Sequence, residues 1–126
     1  MHILVDPDDR KPIYQQVVEG IRDLIARGAL AEGSVLPPVR QLAGDLGVNL
    51  NTIATAYREL ASEGLLSVRH GLRAVVTSRT TSAAERGDLR KPLRAALANL
   101  VLSGLPAQKI LSLVMDELNG LLKGAK

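Results

Sequence analysis

The spacing of apolar residues divides the first half of the chain into three amphipathic segments. Apolar side chains recur every three or four positions over residues 12–28, 38–47 and 49–64, which places them on one face of an α-helix. Pro12 and Pro38 suit a first helical turn, where the N–H that proline lacks has no partner in any case. The pattern predicts three short helices around one core, each ended by a glycine: Gly28, Gly47 and Gly64.

After the third helix the spacing changes to the short apolar runs that are typical of strands. Residues 66–69 and 73–78 predict two strands around a turn at residues 70–72, and residues 3–5 predict another short strand. The expected fold is therefore mainly α. It is a winged helix-turn-helix domain over residues 1–78, with three helices and a β-hairpin wing.

Two more apolar patterns follow a polar segment at residues 79–87, which predicts a linker. They predict helices over residues 88–102 and 106–123. Two helices with this much aliphatic surface cannot bury it by themselves, so we expect residues 88–126 to form a dimer interface. Packing on the chain's own N-terminal domain is the alternative. The predicted interface contains Leu93, Leu97, Leu100, Val101, Ile110, Leu111, Val114, Leu118 and Leu121.

Small polar residues cluster at the start of the third helix, at Asn49, Asn51, Thr52 and Thr55. In a helix-turn-helix, this end of the second motif helix enters the major groove of DNA. There an asparagine can pair with adenine, and a threonine offers a hydroxyl group or a methyl contact to thymine. The alternatives are that Asn49 is only an N-cap and that the threonines only face solvent. The helix-turn-helix pattern favours DNA contact for the threonines.

Composition narrows the classes of function. The 126 residues include no cysteine, so no disulfide or thiolate metal site can form. His2 and His70 lie far apart, and no catalytic constellation is visible, so we expect no enzyme, cofactor or metal. The N-terminus lacks the pattern of a secretory signal, and the apolar stretch 93–105 is too short to cross a bilayer. These features favour a cytoplasmic protein that does not bind membranes.

Charge is unevenly distributed along the chain, whose net charge is +3. Residues 1–39 carry four basic and six acidic side chains, residues 40–79 carry five and three, and residues 80–126 carry seven and four. The positive middle segment fits a nucleic-acid partner. Residues 1–79 balance at nine basic and nine acidic side chains, which keeps a protein-interaction module open as the alternative function.

Two longer segments resemble the GntR family of bacterial transcription regulators. They read PIYQQVVEGIRDLIARGAL, at residues 12–30, and LPPVRQLAGDLGVNLNTIATAYRELASEGLLSVRHG, at residues 36–71. The resemblance is strong over residues 11–78, and the short two-helix tail is similar to the YtrA-like branch of that family. It implies a homodimer that binds a palindromic operator in double-stranded DNA, usually as a repressor.

The resemblance also implies roles for single residues. Arg40 matches an arginine that reaches DNA from the start of the second helix, and Arg69 and Gly71 match the wing. Together with the polar cluster, Arg58 and the remaining wing residues, the expected DNA contacts are Arg40, Asn49, Asn51, Thr52, Thr55, Arg58, Arg69, His70, Gly71 and Arg73.

Three positions depart from the family pattern. Pro38 replaces a serine, which removes a helix cap. Arg73 and Ala74 replace a glycine and a threonine of the wing, so Arg73 is expected to compensate with a groove or phosphate contact. Ala54 stands where some relatives carry an arginine, so base readout is expected to be sparser. A third functional hypothesis is regulation through a small-molecule effector bound in the tail.

Overall fold

A computed structural model describes residues 1–68, 73–77 and 89–122 of the chain. The predicted fold class, mainly α with a winged helix-turn-helix and a two-helix tail, is confirmed, while the dimerisation role of the tail stays a prediction. In chain order the elements are α1 (Ile13–Ala26), α2 (Val39–Leu46), α3 (Leu50–Ser62), β1 (Leu66–Val68), β2 (Ala74–Val76), α4 (Arg90–Leu102) and α5 (Ala107–Leu122).

The core of the N-terminal domain is almost entirely aliphatic, and α1 packs against α3 within it. Both helices bury the stripe that their apolar spacing predicts. The loop before α2 and the hairpin cover the remaining sides. Buried on α1 and α3 are Val17, Val18, Ile21, Leu24, Ile25, Ile53, Ala56, Tyr57 and Leu60.

A tight turn joins α2 to α3. Gly47 ends α2 with a φ of 68°, a left-handed conformation that favours glycine. The N–H of Val48 then donates to the carbonyl of Ala43 at 3.0 Å, which closes the end of α2. Because only residues 47–49 separate the two helices, the position of α2 fixes where α3 begins.

The hairpin pairs antiparallel, with Ser67 opposite Val75 at its centre. A loop segment, residues 33–36, adds a third strand-like partner, because Leu36 N–H donates to Ala74 O at 2.8 Å and Val76 N–H donates to Ser34 O at 2.9 Å. The second predicted strand is too long, since Arg73 and Thr77 lie outside β2. Residues 69–72 and 78, which include the predicted turn, lie outside the described residues.

The predicted strand at residues 3–5 is wrong. The segment has no strand partner in the described part of the chain; Ile3 and Val5 pack against the core instead, and Leu4 is exposed. Ile3 lies so close to Gly20 that a Cβ there would be 3.0 Å from Ile3 Cγ2. Gln16 fixes the following loop, since its side-chain amide donates to the carbonyls of Asp6 and Lys11 at 2.9 Å each.

The tail differs from this domain. α4 begins two residues after the predicted start, α5 begins one residue after it, and neither helix buries a side chain. α5 contacts both α4 and α1. The predicted linker, residues 79–87, and the end of the second tail helix, Lys123, lie outside the described residues. Among the helices of the described residues, none has the length and hydropathy of a membrane-spanning segment.

Candidate nucleic-acid interface

The side chain of Asn49 caps the start of α3. Asn51 N–H donates to Asn49 Oδ1 at 2.7 Å, so the predicted N-cap is confirmed. A cap of this kind satisfies one of the N–H groups that the first helical turn leaves without a partner. The Asn49 oxygen thus has one acceptor position in use, and its NH₂ group stays available to donate to a ligand.

The polar and apolar residues of α3 separate onto opposite faces. Asn51 is exposed and Thr52 and Thr55 are half-buried, whereas Ile53 and Ala56 are fully buried. Arg58 lies one turn further along the polar face, and its Nη2 donates to Thr55 Oγ1 at 3.2 Å. The guanidinium group of Arg58 thus adds a positive charge to the polar face.

Two other predicted contact residues lie on neighbouring elements. Arg40 is exposed in the first turn of α2, and Pro38 before it makes no side-chain cap, as the sequence predicts. Arg73 is exposed beside β2 and shares a depression of about 290 Å³ with Pro38 and Gln41. Arg73 therefore lies on the side of the domain where α2 begins. The predicted wing contacts Arg69, His70 and Gly71 lie outside the described residues.

Tyr57 positions α2 relative to α3. It is buried on the apolar face of α3, and its hydroxyl donates to the carbonyl of Pro37 at 2.7 Å. Burial raises the pKa of Tyr57 well above its ordinary value, so the hydroxyl keeps its proton and remains a donor. The bond links the middle of α3 to the loop that starts α2. No sequence pattern indicates this partner.

Tyr14 lies in the first turn of α1 and contributes to two surfaces. It is half-buried against the core, but it also lines a groove of about 420 Å³ between the start of α1 and the polar face of α3. The walls of this groove are formed by Pro12, Ile13, Tyr14, Asn51, Thr52 and Thr55.

A second groove lies between α4 and α5, with a volume of about 410 Å³. Its lining is apolar and includes six of the nine residues predicted for the dimer interface: Leu93, Leu97, Val101, Ile110, Leu111 and Val114. Of the other three, Leu118 is 44% exposed, and Leu100 and Leu121 are half-buried. All nine predicted residues thus remain partly open in the single chain.

The described residues hold no group of three or more histidine, cysteine, aspartate or glutamate side chains placed to bind a metal ion. The adjacent acidic residues Asp8–Asp9 and Asp116–Glu117 are exposed. Chemically, the polar face of α3 offers amide, hydroxyl and guanidinium groups, which suit hydrogen bonding to bases and phosphates.

Comparison with known proteins agrees with this architecture. The family described as "Bacterial regulatory proteins, gntR family" matches residues 13–76. The chain is 27% identical to the HTH-type transcriptional repressor YtrA of Bacillus subtilis, over 98% of this chain and 97% of that protein.

Two solved structures extend the likeness to the fold. A transcriptional antiterminator from Listeria monocytogenes EGD-e superposes with a TM-score of 0.84 at 25% identity, over 97% of this chain and 93% of that one. The AraR DNA-binding domain, solved in complex with operator ORE1, superposes with a TM-score of 0.52 at 28% identity, over 61% of this chain and 94% of that one. The chain belongs to the GntR family of bacterial regulatory proteins and is similar over its whole length to the YtrA-type regulators.

Proposed function

We propose that the protein is a dimeric transcriptional repressor that binds a palindromic operator in double-stranded DNA. The observation that carries this proposal is the separated polar face at the capped start of α3, in a winged helix whose relatives are regulators. Support also comes from AraR, because its DNA-binding domain has this fold and was solved with an operator.

In this proposal the contacts divide between the elements. Asn51 and Thr52 read base edges in the major groove, because they occupy the first turn of α3 on its polar face. Arg40, Arg58 and Arg73 contribute positive charge to the phosphate backbone. The remaining proposed contacts, at α3 and at the wing tip, are Asn49, Thr55, Arg69, His70 and Gly71.

The tail, residues 88–126, makes the dimer in this proposal, with residues 79–87 as its linker to the DNA-binding domain, residues 1–78. Val101 and Leu111 are 61% and 63% exposed on the apolar stripes, and burying such side chains contributes about 1.5–3 kcal/mol each. A symmetric dimer presents two copies of α3, which is why we expect a palindromic operator.

The remaining parts of the proposal follow from this role. A regulator that works by binding DNA needs no catalytic group or cofactor. It acts where bacterial DNA lies, in the cytoplasm. An effector that changes the relative positions of the two DNA-binding domains would control binding, and the tail is the place where we propose that it acts.

Selection from randomised duplexes, followed by fluorescence anisotropy at several salt concentrations, tests the proposal. We expect one preferred palindromic sequence, bound with an affinity that falls steeply with salt as counterions are released. Asn51→Ala should relax the preference at one position in each half-site. Arg73→Ala should weaken binding to all sequences alike and reduce the salt slope by about one unit.

Two matched variants serve as controls. Asn99→Ala removes an exposed amide from α4, and Arg27→Ala removes an exposed charge at the end of α1. Both should bind DNA as the unchanged protein does. Selection of no sequence, together with binding that does not respond to salt, would contradict DNA recognition and favour a protein-interaction module. Unchanged preferences in Asn51→Ala with altered ones in Arg73→Ala would reverse the roles of helix and wing.

A further inference from the structure

We propose that Tyr14 forms a further part of the DNA interface, with its hydroxyl donating to a backbone phosphate beside the major groove that α3 enters. This inference rests on the DNA binding proposed above and adds the start of α1 to the contacts of α2, α3 and the wing.

The position of Tyr14 carries the inference. Its side chain lines the same groove as Asn51, Thr52 and Thr55, so α1 and α3 present one continuous surface. The side chain is half-buried and packs against the core, which restricts its motion. Among the described residues, the hydroxyl of Tyr57 has a hydrogen-bond partner, whereas the hydroxyl of Tyr14 has none.

The dimensions of DNA explain why a backbone strand would occupy this groove. The major groove is about 12 Å wide, and a helix with its side chains is about 10–12 Å across. A helix that fills the groove therefore brings the phosphates at its edge against whatever element lies beside it. Here that element is the start of α1.

The lining of the groove suits a sugar–phosphate chain. Pro12 and Ile13 offer an apolar surface to a deoxyribose, and Tyr14 and Thr52 offer hydroxyl groups to phosphate oxygens. No acidic side chain of the described chain lines the groove, and Arg58 stands beside Thr55 at one end of it. The groove thus has no charge that would repel a phosphate.

Tyr14→Phe tests the hydroxyl without removing the ring. We expect the variant to bind the selected operator and a random duplex of equal length more weakly by the same factor, roughly tenfold, since the bond ends on a charged acceptor. Base preferences should stay unchanged. The salt slope should also stay unchanged, because a neutral hydroxyl releases no counterion, and this separates Tyr14 from the arginines. Gln15→Ala, an exposed neighbour on α1, is the matched control and should bind normally.

Phosphate ethylation interference gives a second readout that locates the contact. Ethylation of a phosphate that the protein contacts weakens binding. At one phosphate beside the proposed groove, ethylation should weaken binding by the unchanged protein but not by Tyr14→Phe. If the two proteins respond alike at every phosphate, or bind with equal affinity, the Tyr14 proposal is overturned while DNA binding stands. If the unchanged protein itself binds no DNA, the proposed function fails first, so the two failures are distinguishable.

Discussion

The two halves of the molecule use the same kind of sequence pattern with opposite results. In the N-terminal domain, α1 buries five apolar side chains and α3 buries four. In the described part of the tail, α4 and α5 also carry apolar stripes, less sharply separated on α4, and bury none. The difference shows that apolar spacing predicts that a face will be covered, but does not identify what covers it.

The difference has a consequence for how the two halves are stabilised. The core of the N-terminal domain closes within one chain, so its stability does not depend on protein concentration. The tail touches that domain through α5 and α1, and its apolar groove stays open. If a second chain covers the groove, dimer formation depends on protein concentration. The stability of the tail and the apparent affinity for a palindromic operator then both rise with protein concentration.

The largest effect is expected from a matched pair of leucine truncations. Leu60→Ala opens a cavity in a closed core and should lower the free energy of unfolding by about 2–5 kcal/mol at every protein concentration. Leu118→Ala should lower stability only at concentrations where the dimer forms. Urea unfolding at several concentrations measures both. A concentration-independent loss of the same size for Leu118→Ala would mean that the tail packs within its own chain.

A charge on the open stripe should break the dimer and leave the N-terminal domain folded. Leu111→Asp places a carboxylate in the proposed interface, which we expect to raise the dimer dissociation constant by a factor of roughly 30, or about 2 kcal/mol. Ser112→Asp adds the same charge to the neighbouring exposed position and is the control. Light scattering should report a monomer for the first variant and a dimer for the second. A dimer in both, or a chain truncated after Arg79 that stays dimeric, would place the interface elsewhere.

Removing a charge from each half should separate DNA contact from assembly. Arg40→Ala, in the first turn of α2, should weaken operator binding by about 1–3 kcal/mol without changing the dimer or the melting temperature. Lys109→Ala removes an exposed charge from α5 and should change neither. Anisotropy, light scattering and thermal melting check the pair. Unchanged affinity of Arg40→Ala at moderate salt would remove Arg40 from the interface.

The parts of the fold that could be predicted from the sequence are those determined by neighbouring residues. The ends of α2 at Pro38 and Gly47 and the Asn49 cap are local features, and the structure has them where the sequence places them. Pairing between distant segments could not be predicted in the same way. No strand is predicted at residues 33–36, yet they pair with β2, whereas residues 3–5 are predicted as a strand and pair with nothing in the described chain.

In the candidate site, too, the local features could be predicted from the sequence and the contacts between distant residues could not. The polar face of α3 could be predicted because the helical repeat determines which residues lie on the same face. Tyr14 could not be placed beside Thr52 and Thr55, since that proximity depends on how α1 crosses α3. The hydrogen bond from Tyr57 to Pro37 likewise joins residues 20 positions apart, and no local pattern indicates it.

The smallest effect is expected from changes to Asn49, the cap of α3. These changes distinguish a role as a helix cap alone from a role in DNA contact. Asn49→Ala loses the bond to Asn51 N–H and should lower the free energy of unfolding by about 1 kcal/mol. Asn49→Asp keeps a capping oxygen and suits the positive end of the helix dipole, so stability should stay within about 0.5 kcal/mol. Its negative charge would face the phosphates, so its operator affinity should fall below that of Asn49→Ala.

The N-cap residue of the first tail helix provides the control for capping. Leu89 stands at the N-cap of α4 without a side-chain capping bond, so Leu89→Ala should change stability by less than about 0.5 kcal/mol. Chemical unfolding and anisotropy on the same four proteins complete the test. Equal affinity for Asn49→Asp and the unchanged protein would leave Asn49 as a cap alone, because a carboxylate at a DNA surface cannot be neutral in its effect. Loss of affinity without loss of stability in Asn49→Ala would instead assign its NH₂ group to DNA and show that the capping bond contributes little.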